Sequence, residues 1–183
     1  MSRTDTTAPL RSWREPASLL PLHWGHYRDR YILGLVLIVG GAIQLQGSNT
    51  YTVPFLLIGT AAHATGWSIM PARGWRRLLA VIPATSQIWF VLTGPMSMWT
   101  LVVPYICWLV VRHRPAAAYV TVLLPLANGI IVSQYFTEYS AMPVVLSISM
   151  AVFVASAWLA RSIAKFIAQR TETVALPSPS PLK

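Results

Sequence analysis

The stretch Leu109-Val110-Val111-Arg112-His113-Arg114-Pro115-Ala116-Ala117-Ala118 sets two guanidiniums and an imidazole between two apolar runs. Residues 96–111 before it carry no charge, and residues 116–136 after it carry none. Working outward, six such runs lie at about 31–47, 52–70, 78–93, 96–111, 116–136 and 141–160. None contains Asp, Glu, Lys or Arg. A hydrocarbon core about 30 Å thick needs roughly 20 helical residues, with 17 as a lower limit. The fifth and sixth runs meet this length. The third and fourth are short and need Arg77 and Arg112 to snorkel toward the interface.

The gaps alternate in charge. Arg73, Arg76 and Arg77 separate runs two and three, and Arg112 and Arg114 separate runs four and five. Arg161, Lys165 and Arg170 follow run six. The gaps at 48–51, 94–95 and 137–140 hold no base. The positive-inside rule therefore predicts an all-α integral membrane bundle of six transmembrane helices, arranged as three hairpins, with both termini cytoplasmic. The expected location is the plasma membrane. Residues 1–30 form a basic N-terminal segment, partly interfacial over 19–24, with its first dozen residues disordered. Residues 31–160 form the membrane domain. Residues 161–183 form a basic and then Pro/Ser-rich cytoplasmic tail, disordered from 171. Run one, preceded by 30 residues and lacking a small-x-small site, reads as a retained span.

A re-entrant hairpin over 78–111 would leave the same charges inside. Trp89 and Trp99 flank Gly94-Pro95, and full crossing sets them at the outer interface, which tryptophan prefers. Re-entry would bury them near the bilayer centre. Trp67, Trp108 and Trp158 fall near inner ends, and Tyr51, Tyr135 and Tyr139 at outer ends, as an aromatic belt requires.

Composition narrows the function classes. Fourteen bases against five acids give a net charge of +9. The bases flank apolar runs instead of forming a face, so the expected counter-charge is the anionic inner leaflet of the bilayer. No nucleic-acid partner is expected. The single cysteine, Cys107, excludes a disulfide within one chain. There is no His-Glu-x-x-His, no Gly-x-Ser-x-Gly and no aspartate cluster, so no catalytic residue, metal ligand or cofactor is assigned. His23, His26 and His113 share the inner side, but read as interfacial residues without a completing Cys or acid. Glu138, the one outward acid, reads as solvated.

Polar residues inside the runs are few. His63, Gln87 and Asn128 form a candidate intramembrane cluster that would line a pocket for an uncharged ligand if the three converge. The other reading makes each a helix–helix hydrogen bond. Pro83, Pro104 and Pro125 lie inside runs three to five and press on the carbonyls of Leu79, Thr100 and Thr121. Three kinked helices could build a cavity, though transmembrane helices ordinarily tolerate proline. Pro54, Pro95, Pro115 and Pro143 lie in or near first turns, where the missing N–H costs little. A weak echo aligns the segments around Pro83 and Pro125.

Two stripes of small residues mark expected packing faces: Gly59, Ala62 and Gly66 on run two, and Ser147, Ala151 and Ala155 on run six. Both are expected to pack the bundle itself. Three function classes follow. The first is a non-catalytic accessory, scaffold or sensor-like module, with another membrane protein as its partner. The second is a channel or carrier for a small neutral or apolar solute. The third is a lipid-active enzyme. The proportions are those of bacterial six-helix sensor regions, an analogy of architecture alone.

Overall fold

A computed structural model describes residues 15–21, 25–49 and 51–175, with side chains as far as 171. Among these residues the chain is all-helical and contains no strand. Six α-helices follow one another: α1 (Tyr27–Gln46), α2 (Val53–Ile69), α3 (Gly74–Phe90), α4 (Val102–Val111), α5 (Leu123–Tyr135) and α6 (Met142–Ala175). Two continuous helical stretches, Ala116–Tyr135 and Tyr139–Thr171, are long and apolar enough to cross a membrane. The first dozen residues, His23 and residues 176–183 lie outside the described residues. Residues 171–175, expected in the disordered tail, are instead the end of α6. No proline or glycine interrupts α6 between Pro143 and Ala175, so nothing local stops it.

The short runs gain length from 3-10 turns. Seven residues, Pro95–Leu101, wind as 3-10 helix before α4, and seven more, Ala116–Val122, before α5. A 3-10 turn rises about 2.0 Å per residue against 1.5 Å for an α-turn, so Pro95–Val111 extends to about 29 Å. As pure α-helix it would reach about 25 Å. Pro104 and Pro125 explain the position of these turns. Each lacks the N–H that would bond Thr100 or Thr121 in an α-helix, and the tighter i→i−3 pattern needs no donor there. The threonine hydroxyls also turn back, Thr100 to the Ser97 carbonyl at 2.6 Å and Thr121 to the Ala118 carbonyl at 2.7 Å. Pro83 differs, since α3 runs through it as α-helix.

Glycines bring α1 and α2 into backbone contact. A Cβ on Gly41 would stand 2.5 Å from the Gly59 carbonyl oxygen, and one on Gly66 would stand 2.7 Å from the Gly34 carbonyl oxygen. Gly59 and Gly66 of the run-two stripe thus lie on this seam, with Ala62 half-buried beside it. The run-six stripe is corrected. Ser147, Ala151 and Ala155 are all exposed. The face of α6 that packs inward carries Val145, Ser149, Ser156 and Ala160 instead. Both sets recur at helical spacing, and small size alone does not tell a buried face from an open one.

The basic gaps gather at one end. Arg30 donates from Nε to the Ile69 carbonyl at 3.1 Å, and Arg76 donates to the Val110 carbonyl at 3.0 Å. At the other end, Gly94 (φ +98°) turns the chain where only glycine is comfortable, and its α-carbon faces the Tyr139 ring. Two aromatics of the expected belt pack against protein. Trp67 is buried in a cluster with Met70, Ala80, Ala84 and Cys107, and Trp108 is half-buried beneath arginines. Arg112 does not snorkel, for it is buried against protein.

The seam predicts a sharp contrast between neighbours. Gly41→Ala should lower stability by about 1–3 kcal/mol through overpacking. Gly40→Ala should be neutral or slightly stabilising, because nothing lies within 4 Å of its added methyl. Thermal unfolding in detergent reads both, and equal midpoints for the two variants would remove the seam.

Candidate functional site

His63, Gln87 and Asn128 each bond to a different neighbour. His63 lies on α2 one turn from Gly59, so the glycine seam presses its ring against α1. Its Nδ1 meets the Ile38 carbonyl at 2.9 Å, and the Trp67 indole N–H donates to Nε2 at 3.1 Å. A carbonyl only accepts and an indole N–H only donates, so these partners fit the neutral Nδ1–H tautomer. Both ring nitrogens are then used. Gln87 on α3 donates through Nε2 to Thr100 Oγ1 at 3.0 Å. Asn128 on α5 donates through Nδ2 to Ser149 Oγ on α6 at 3.0 Å. Tyr105 and Thr121 make the corresponding bond between α4 and the turn before α5, at 2.8 Å.

The three sequence-predicted residues thus serve three separate helix pairs. A cavity of ≈ 320 Å³ opens at the α2–α3 junction, lined by Ser68, Gly74, Arg77, Leu78 and Val81. None of His63, Gln87, Asn128 or the interior prolines lines it.

A second constellation stands at the basic end, and sequence reasoning missed it. Arg112 and Arg114 follow α4 directly, and Arg161 extends from α6. Glu15, just before the short 3-10 turn Pro16–Leu19, faces all three. Its Oε2 lies 3.0 Å from Arg112 Nη2; its Oε1 lies 3.1 Å from Arg114 Nη2 and 3.6 Å from Arg161 Nε. Ala17 is fully buried, so this N-terminal turn docks on the bundle. Arg112 also bonds the Tyr27 hydroxyl and lies over the rings of Tyr31 (4.7 Å) and Trp108 (5.9 Å). Arg114 lies 5.5 Å from the Trp108 ring. Such cation–π contacts strengthen when water is excluded.

Burial is the main force on the Arg114 pKa and lowers it; Glu15 opposes that, and Arg112 and Arg161 add to it. Only one sequence signal pointed here. Glu15 is one of three acids in residues 1–30, in a chain that has five acids in all.

Among the described residues, no three His, Cys, Asp and Glu side chains gather around a metal-sized point. His26 faces Asp29 at 3.5 Å and is exposed. The chain matches no known protein family, no curated protein and no solved structure.

His113 lies in the loop between Arg112 and Arg114 with φ +54°, uncommon for a residue other than glycine. Its pKa is lowered by burial, then by the charges of Arg76 and Arg73. A lowered histidine favours the fold while neutral. That contribution is complete above about pH 6.5, the ordinary value, and is lost as pH falls through the lowered one. His113→Asn keeps a residue that tolerates this backbone and removes the titration. Its unfolding midpoint should therefore fall less than wild type between pH 7 and pH 5, as read by thermal scans. Parallel pH curves would clear His113 of any part in acid sensitivity.

Proposed function

We propose that this chain is a six-crossing membrane protein with both termini cytoplasmic, acting without catalysis as an accessory or scaffold module through helix contacts. The observation that carries the reading is the apolar exterior of every helix. Val36, Leu57, Ile82, Ile106, Ile131 and Val154, one from each, are exposed. Water tolerates no such continuous surface on a monomer of this size, whereas lipid does. With few charged residues and an all-helical backbone, the chain meets the demand that backbone groups be satisfied internally.

Two further features support the finer topology. The basic gaps meet at one end through Arg30, Arg76 and the Glu15 cluster, as positive-inside requires. Gly94, the tip of the segment 78–111, lies beside Tyr139, just beyond the far end of α5. A re-entrant tip would stop half-way along that helix. The accessory role is favoured by how the polar side chains are used. His63, Gln87 and Asn128 are bonded within helix pairs, which leaves little lining for a solute path. The exposed Ser147-Ala151-Ala155 face of α6 is suited to close approach by a helix of another membrane protein.

Labelling tests the topology. Met96→Cys and Ser140→Cys, both at exposed positions, should react with an impermeant maleimide on intact cells. Arg73→Cys should react only after permeabilisation. Labelling at Ser140→Cys with protection at Met96→Cys would favour re-entry. For the accessory role, Ala151→Leu should cut co-purification of a membrane partner in mild detergent about tenfold, since one bulky group at a close-packed seam costs about 1–3 kcal/mol. The isolated fold should be unchanged, because Ala151 is exposed. Solute flux through the purified chain in liposomes would replace this reading with a carrier.

A further inference from the structure

The cavity of ≈ 320 Å³ at the α2–α3 junction joins one guanidinium to an apolar wall. Arg77 Nη1 donates to the carbonyl of Ser68, on the last turn of α2, at 3.0 Å. Its Nη2 stands 4.0 Å from the point where a Cβ on Gly74, the first residue of α3, would lie. The guanidinium therefore sits between the two helix ends, at the edge of the cavity. It has five N–H donors, and the Ser68 carbonyl takes one. None of the ion pairs among the described residues involves Arg77. No side chain caps α3, so its N-terminus adds partial positive charge beside Gly74. The other two bases of this gap are placed differently. Arg76 reaches the Val110 carbonyl at 3.0 Å, and Arg73 is exposed and does not line the cavity.

The apolar wall leads away from that charge along α3. Leu78 and Val81 line the cavity. Leu78 and Ile82, one turn apart on the same helix face, are 71% and 73% exposed. Because α3 runs from the basic end toward Gly94, this strip points into the hydrocarbon while Arg77 stays at headgroup level. A charged head followed by an apolar chain is the complementary ligand. Guanidinium forks bind phosphate oxygens bidentately. The volume is near the lower bound of ligand sites, about 300–1,000 Å³, so the cavity suits a headgroup, with the acyl chain outside it on Leu78 and Ile82. We propose that Arg77, Gly74 and the Leu78–Ile82 face bind one anionic phospholipid of the inner leaflet, its phosphate on Arg77 and its acyl chain along α3. The site rests on the membrane reading above and deepens it, fixing one lipid in one groove instead of a general attraction to the leaflet.

The test titrates the full-length protein in uncharged detergent with dioleoyl phosphatidylglycerol, reading thermal midpoint against lipid mole fraction at matched ionic strength. Saturable stabilisation is expected. Dioleoyl phosphatidylcholine carries the same phosphate with an added cation and should bind about tenfold more weakly. Arg77→Gln should weaken phosphatidylglycerol binding about tenfold, equivalent to about 1.4 kcal/mol. Gly74→Leu keeps every charge, and its added Cβ meets only Arg77 Nη2, at 4.0 Å. Leucine also favours helix over glycine. This variant should hinder the lipid to a similar extent, and it carries the test should Arg77→Gln fail to fold. Arg73→Gln removes a base from the same gap outside the cavity and should leave the affinity unchanged, since exposed charges are screened. No saturable response, equal losses from Arg73→Gln and Arg77→Gln, or saturation by inorganic phosphate alone would overturn the site. So would a phosphatidylcholine response equal to that of phosphatidylglycerol. A wrong topology would show separately in the cysteine labelling, whereas expected labelling without a lipid response would remove this site and leave the topology standing.

Discussion

The Glu15 carboxylate joins parts of the chain that are distant in sequence. Its partners come from the loop after α4 and from α6, and Arg112 in turn grips Tyr27 and Tyr31 on α1. One end of the bundle is closed around this cluster. Breaking a buried ion pair typically costs about 3–5 kcal/mol, because the surviving charge is stranded. Here more than one positive charge would be stranded. The cluster therefore ties α1, α4 and α6 together more firmly than its small size suggests.

Elsewhere the helices meet through close fit and single polar bonds. Glycines set the α1–α2 distance, and His63 and Trp67 exploit that proximity. Gln87 with Thr100, Tyr105 with Thr121, and Asn128 with Ser149 continue the pattern along the chain. Where the outer surface is apolar on every helix, burial discriminates poorly between one packing and another. Directional bonds and backbone approach then supply the specificity, each bond worth about 0.6–2 kcal/mol.

Proline has a use in this arrangement. The 3-10 turns before Pro104 and Pro125 lengthen runs that are short as α-helix, and they present Thr100 and Thr121 to the neighbouring helix. The prolines were visible in the sequence as potential kinks. Each has a threonine four residues earlier whose hydroxyl turns back on the chain. Pro83 has Leu79 at that place and leaves its helix unbroken.

Helical class, the number of apolar runs and the separation of basic from neutral gaps were all legible in the sequence. Each depends only on local composition and period, which survive without knowledge of neighbours. Which small residues face inward was not legible, and the α6 stripe turned outward. His63, Gln87 and Asn128 stood out as rare polar residues, yet rarity says nothing about convergence, and they serve separate pairs. Glu15 carried only a faint signal, since an acid among arginines near a terminus looks like a solvated one. Its partners lie from 97 to 146 positions away along the chain. Only the tertiary structure brings them within 3.0–3.6 Å, because Coulomb attraction acts through space and carries no trace in local sequence.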